Sequence, residues 1–252
     1  MSARVVITGA SGGFGRAFAK RLAARGYELI LHGRNEAQLE QLRSVLPRAQ
    51  AHRLLCADLS TEAGADALIC ALRDEALVGL VNNAGFGLWG HFADLPANRQ
   101  CAMLYLDLIA PVRLAHALLP SLIAQQGFLI NVSSLAGEYP LPLMSGYAAA
   151  KAGLTFWSEA LRTELAGKLR VVTLAPGPSP TGFRDVSGMP RSTGSFFRTP
   201  PECIIDAALR CLDRGGGYCV PGWRHRLLWL LQKTVPRPIG LSILSRHMAA
   251  ER

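Results

Sequence analysis

The chain has 252 residues, half of them hydrophobic, and a formal charge of +9 at pH 7. That length suits one large α/β domain with a sizeable core, or two small ones, and no uninterrupted apolar run is long enough to span a bilayer. The six cysteines (Cys56, Cys70, Cys101, Cys203, Cys211, Cys219) form no C-x-x-C pair and the six histidines show no ligand spacing, which argues against a disulfide scaffold or a metal site and for reduced, mostly buried thiols in a cytoplasmic protein.

The first residues, MSARVVITGASGG, lack the long apolar region of a leader and pass directly into a strand pattern, Arg4–Thr8. A helical pattern over Gly15–Arg25 follows and stops at Gly26. Then come a strand at Glu28–His32, a helix at Glu36–Leu46 ended by Pro47, a strand at Ala51–Cys56, a helix at Thr61–Leu72 and a strand at Gly79–Asn82. Two helical stretches, Arg99–Ile109 and Pro111–Gln126, lead to a strand at Phe128–Ser133. A helix at Tyr147–Leu165, a strand at Leu169–Leu174, a helix at Pro201–Asp213 and a short strand at Tyr218–Val220 complete the pattern. This alternation predicts an α/β fold with a single doubly wound parallel sheet of about seven strands and helices on both faces. Residues 1–222 read as one Rossmann-type domain, with 223–252 as a basic helical tail.

Residues 8 to 15, TGASGGFG, lie between the first strand and the first helix. Glycines there let a turn close tightly and backbone approach a pyrophosphate, and the helix N-terminus supplies unpaired N–H groups. Gly9 to Gly13 also fits G-x-S-x-G, which would make Ser11 a hydrolase nucleophile, but such an elbow normally follows several earlier strands. An acid about 20 residues beyond the glycines would hold a ribose 2′-hydroxyl and favour NAD. The sequence there is His32-Gly33-Arg34-Asn35, where Gly33 leaves room and Arg34 offers a planar donor fork to a 2′-phosphate. NADP(H) is therefore favoured over NAD(H).

Residues 145 to 153 read SGYAAAKAG, so Tyr147 and Lys151 share one helix face about 6 Å apart, amid residues too small to crowd them.

Taken together, TGASGGFG, Asp58-Leu59, NNAG at 82–85, NVSS ending at Ser134, and Tyr147-x-x-x-Lys151 resemble the short-chain dehydrogenase/reductase family from Arg4 to about Val220. The resemblance implies that Gly9, Ser11, Gly13, Phe14 and Gly15 line the diphosphate turn. It further implies that Asp58 and Leu59 flank the adenine, that Asn83, Ala84 and Gly85 border the adenosine ribose, and that Pro176, Gly177 and Thr181 hold the nicotinamide carboxamide. Asp58 also reads as a helix cap before Thr61. By the same resemblance Tyr147 is the proton donor or base, Lys151 holds the nicotinamide ribose and draws the phenol towards working pH, and Ser134 bonds the carbonyl oxygen. Asp107 stands where many members carry an asparagine. It reads as a modified fourth catalytic residue whose charge partly cancels that of Lys151, or as a structural carboxylate. Gly12 stands where many NADPH-dependent members carry arginine, which leaves Arg34 more alone.

The segment from Thr181 to Thr199 should cover an apolar substrate, with Phe183, Met189, Phe196, Phe197 and Trp89 on one wall and Tyr139, Leu141, Leu143 and Met144 on the other. A ketone, an aldehyde, an oxoacyl thioester or a steroid-like carbonyl, or the matching alcohol, fits such a pocket. From Arg214 to Ala250 there is no Asp or Glu, while Arg214, Arg224, Arg226, Lys233, Arg237 and Arg246 are basic. Packing of this tail on a sister subunit of a homodimer or homotetramer, or as a lid, is expected ahead of contact with an acidic membrane, and no nucleic-acid partner is expected. A non-catalytic NADP(H)-binding regulator on the same fold is the main alternative to an enzyme.

Overall fold

The computed structural model describes residues 3–190 and 198–249. In chain order the elements are β1 (Arg4–Ile7), α1 (Gly13–Ala24), β2 (Glu28–Gly33), α2 (Glu36–Ser44), β3 (Arg53–Cys56), α3 (Glu62–Leu72), β4 (Leu77–Asn82), α4 (Ala97–Leu104), α5 (Ala110–Ala124), β5 (Phe128–Val132), α6 (Ser145–Glu164), β6 (Arg170–Leu174), α7 (Phe183–Ser187), α8 (Pro201–Asp213), β7 (Gly217–Cys219), α9 (Trp223–Thr234) and α10 (Arg237–Ala249).

The seven strands form one parallel sheet in the order β3-β2-β1-β4-β5-β6-β7. Side chains along a strand alternate between its faces. Val5 and Ile7 of β1 therefore join Leu29, Leu31, Ile130 and Val172 beneath Phe18 and Leu22 of α1 and Ile205 and Leu209 of α8. Val6, one residue over, joins Ile30, Leu80, Leu129 and Val171 on the other face, beneath Leu68 and Leu72 of α3 and Leu114, Leu118 and Leu122 of α5. Both faces are covered, which is why the strands read as nearly continuous apolar runs. The chain winds outward from β1 in both directions, so the carboxyl ends of β1 and β4 border the crevice where such sheets bind ligands.

Four features differ from the sequence reading. First, α4 and α5 are one continuous helix, joined by a π-helical turn over Tyr105–Ile109. Pro111 does not break it, because its missing N–H falls just after the π-helical turn, where the regular hydrogen-bond ladder is already interrupted. Second, this helix, Ala97–Ala124, is long and apolar enough to cross a membrane by length and composition, although its sequence contains Arg99, Asp107 and Arg113. It is a core helix here, with Met103, Leu114, Leu118 and Leu122 buried. Third, Thr61, not Asp58, caps α3 by accepting from the Gly64 amide, while the Asp58 carboxylate accepts from the Ser60 amide and hydroxyl. Fourth, the cysteines are not mostly buried: Cys56, Cys70, Cys101 and Cys203 are exposed, and Cys211 and Cys219 alone are buried. Cys56 is the last residue of the edge strand β3, and Cys70, Cys101 and Cys203 point out from their helices.

Candidate active site

The glycine turn sits where β1 feeds α1. Gly9 has φ +63°, and a Cβ there would come within 2.8 Å of Ala84 Cα. A side chain is thus excluded by conformation and by space together. Thr8 stitches this turn to the NNAG segment. Its hydroxyl accepts from the amides of Asn83 and Ala84, at 2.9 and 3.0 Å, and is itself bonded to Val81 O. Asn83 returns the connection, donating its side-chain amide to Thr8 O and Gly9 O. The α1 N-terminus has no side-chain cap and no acid in its first turn, so its amides face the crevice unneutralised. Gly13 is roofed by Thr181, whose Cα would stand 2.7 Å from a Cβ at Gly13. Phe14 packs against the core and Gly15 is buried below the turn. Ser11 lies beside Gly33, and its carbonyl accepts from Arg16 Nε at 2.8 Å. Among the described residues no histidine bonds the Ser11 hydroxyl, so Ser11 has no base to act as a hydrolase nucleophile.

Arg34 is exposed at the end of β2, and the neighbouring Asn35 spends its side chain capping α2 through the Gln38 amide. Burial pushes the Asp58 carboxyl up, but hydrogen bonds from Ser60 and the nearby charge of Arg34 hold it below its ordinary value. Arg34 and Asp58 thus flank the same end of the crevice. Leu59 does not: its side chain is buried in the core under α3, which leaves only backbone to meet an adenine. A glycine cradle and an uncapped helix end together fit the diphosphate of a dinucleotide, with the Arg34 cation at the end of β2 beside them.

The catalytic candidates come from three elements that converge at the carboxyl end of the sheet. Ser134 follows β5, Tyr147 and Lys151 lie on α6, and Asp107 lies in the π-helical turn. Tyr147 and Lys151 are 8% and 5% exposed, and Asp107 is fully buried. The Lys151 ammonium stands 5.8 Å from the centre of the Tyr147 ring. It donates to Val132 O at 3.1 Å and lies 3.8 Å from Asp107 Oδ1. Ser133 holds the helix that carries it, its hydroxyl bonding Lys151 O at 2.9 Å and Thr155 Oγ1 at 2.6 Å. The Ser134 hydroxyl accepts from the Ala136 amide at 3.1 Å and lies near the Tyr147 phenol, whose ionised form it favours.

Asp107 Oδ1 accepts from the Phe86 amide at 3.2 Å, while its Oδ2 is buried without a hydrogen-bond partner among the described residues. Burial raises this carboxyl to about 6, against the opposing pull of Lys151 and Phe86. Burial likewise raises the Tyr147 phenol well above its ordinary value, Asp107 adds to the rise, and the Ser134 hydroxyl opposes it. The expected lowering by Lys151 does not appear. Its ammonium is turned towards Val132 O and Asp107, and the cancelling charge of Asp107 prevails at the phenol.

The apolar wall also forms, in altered membership. Phe183, Met189, Trp89, Leu141 and Met144 cluster with Tyr147, and the Phe183 and Tyr147 rings lie 5.2 Å apart. Leu88 and Met103 join them. Tyr139 is elsewhere, its hydroxyl donating to Pro236 O and Arg237 O of the tail, and Leu143 offers its carbonyl to the Gly90 amide. Phe196 and Phe197 lie outside the described residues.

A family model described as short chain dehydrogenase matches residues 3–189. The chain belongs to the short-chain dehydrogenase/reductase family. Serine 3-dehydrogenase of Agrobacterium fabrum is 36% identical over 187 residues, 73% of this chain and 74% of that protein. Among solved structures, a short-chain dehydrogenase from Sphingobium yanoikuyae in complex with NADPH superposes with a TM-score of 0.82 at 30% identity, over 93% of this chain and 97% of the other. The bulky-bulky ketone specific alcohol dehydrogenase from Comamonas testosteroni gives 0.77 at 27% identity, over 93% and 95%. Membership makes the chain an oxidoreductase of the family that binds a nicotinamide dinucleotide and a small-molecule substrate.

Three participants escaped the sequence reading. Thr8 opens the TGASGGFG motif, but nothing in the sequence distinguishes its hydroxyl from that of any strand-end threonine. Val132 acts through its carbonyl and Phe86 through its amide, and backbone groups leave no mark in a sequence.

Proposed function

We propose that this protein is an NADP(H)-dependent reductase of a bulky apolar ketone, aldehyde or oxoacyl group, also able to run in reverse, with Ser134, Tyr147 and Lys151 as its working set and Asp107 as a fourth member. The observation that carries this reading is a buried phenol near Ser134, beside a fixed ammonium and against an apolar wall. Bound reduced nicotinamide supplies the hydride.

The chain supplies the proton and the positioning. Tyr147, held neutral by burial, donates its phenolic proton to the carbonyl oxygen as charge develops there. Ser134 Oγ donates to the same oxygen and orients the carbonyl. Lys151, pinned by Val132 O and Asp107, holds a ribose and offers its charge as the phenolate forms. The amides of α1 take the diphosphate, Arg34 takes the 2′-phosphate, and Pro176, Gly177 and Thr181 hold the carboxamide. The choice of NADP(H) is supported by Arg34 in place of an acid and by the NADPH complex of the Sphingobium relative. The apolar wall and the likeness to the bulky-bulky ketone specific alcohol dehydrogenase support a bulky substrate. Leu104, Ile109 and Phe156 are exposed on the α4–α5 rod and α6, which supports a homodimer or homotetramer built on these helices. Four exposed, unpaired thiols support a cytoplasmic location.

The test follows oxidation of NADPH and of NADH over a panel of ketones, aldehydes and oxoacyl thioesters. NADPH is expected to be preferred, Tyr147→Phe to lower kcat by about 10²- to 10⁴-fold with NADPH binding retained, and Arg34→Ala to weaken NADPH by at least about tenfold while sparing NADH. Tight NADPH binding with no turnover on any carbonyl would favour a regulator instead.

A further inference from the structure

Helix α9 is docked by one side only. Its inner face carries His225, Trp229 and Gln232. His225 is buried, with Nδ1 3.0 Å from Pro221 O, and its ring would stand 2.5 Å from a Cβ at Gly177. Trp229 stacks on Tyr218 at 5.6 Å and donates its Nε1–H to Glu138 at 3.0 Å. The opposite face is apolar. Trp223, Leu227, Leu230 and Leu231 recur at i, i+4, i+7 and i+8, one stripe of a helix, and are 70%, 51%, 52% and 49% exposed. By helical spacing Arg224 flanks this stripe on one side, its guanidinium 5.3 Å over the Trp223 ring, and Arg226 and Lys233 flank it on the other, Arg226 Nε donating to Val220 O and the Lys233 ammonium 3.9 Å over the Trp229 ring.

We propose that this outer face of α9 is a docking surface for anionic phospholipid. A helix of 12 residues is too short to span a bilayer, so it lies in the interface plane with its stripe among the acyl chains and its cations at the headgroups. Charge complementarity selects the partner. Residues Arg214 to Ala250 contain no acid, so a two-fold contact with a second copy would set these cations against their own counterparts, whereas an acidic leaflet neutralises them. The inner face rests on Glu138, and Tyr139 bonds the chain that follows α9. Docking therefore sets the loop between β5 and α6, which carries Leu141 and Met144 of the apolar cluster, next to the source of apolar molecules. The surface stands independently of which carbonyl is reduced.

The full chain would be sedimented, without substrate, with vesicles of phosphatidylcholine alone and with vesicles containing phosphatidylglycerol. Two variants accompany it. Leu230→Glu/Leu231→Glu removes the stripe, and Arg224→Glu/Lys233→Glu inverts its border. Thermal melting checks that both fold. Expected are on the order of tenfold more binding to the anionic vesicles, loss of that binding at high salt, and loss in either variant. Equal binding to both vesicle types, no binding, or undiminished binding by both folded variants overturns the proposal. A fall in assembly mass of the leucine variant by light scattering, with no vesicle binding by the parent chain, overturns it in favour of a subunit interface.

Discussion

Asp107 places an acid where water cannot reach, one oxygen bonded to the Phe86 amide and the other without a partner among the described residues. Its carboxyl titrates near 6 in the folded chain against 3.8 as a free group. Between those values the folded state holds a proton that the unfolded state has released. Its contribution to stability therefore falls as pH rises from about 4 to about 6, and stays lost above. Asp107→Asn removes this decline. The melting temperature of the variant relative to the parent is expected to climb by roughly 5 °C between pH 4 and pH 7, followed by calorimetry. The same exchange withdraws a charge that raises Tyr147. Turnover is expected to be kept or increased, and the limb of the pH–rate profile near pH 6 to disappear. A folded variant with no turnover would make the carboxylate itself indispensable.

The elements show what a sequence can and cannot disclose. Every strand lies within two residues of where apolar alternation and turn residues put it, because both sheet faces are covered and the runs are unambiguous. The α4–α5 rod was less legible. Pro111 marks a break by rule, yet the wider turn over Tyr105–Ile109 just before it accommodates the missing N–H and keeps the helix whole. That wider turn carries Asp107 into the site, and no periodicity announces it. The site motifs were legible as residue types, whereas the Lys151–Val132 bond, the Thr8 stitch and the seat of His225 against Gly177 depend on backbone atoms or on segments far apart in the chain. The glycine turn gives a prediction at this scale. Gly9→Ala forces a side chain into a left-handed backbone and against Ala84. It is expected to cost at least about 1 kcal/mol in denaturant unfolding and to weaken NADPH binding markedly by calorimetric titration.

For the whole molecule, α9 is tied to the body of the fold by Trp229, Glu138 and Tyr218, and His225 packs against the segment proposed to hold the carboxamide. Trp229→Ala removes the stack and the hydrogen bond together. It is expected to raise KM for the nucleotide several-fold with little change in kcat, a split that steady-state kinetics reads directly. On the far side, Phe156 stands 76% exposed on α6. Phe156→Glu is expected to reduce the assembly to a smaller species in light scattering, since a buried, unpaired carboxylate would oppose subunit contact.

The strand order has a further bearing on how the chain is made. The central strand β1 pairs with β2 and β4, so the first 85 residues contain the glycine turn, its NNAG partner and four of the seven strands. The other edge closes only when β7, at 217–219, reaches β6. At about 5–20 residues per second, the nascent chain carries its nucleotide cradle for roughly ten seconds before β7 is synthesised. During that interval β6, once made, presents an unpaired edge to its surroundings until β7 covers it.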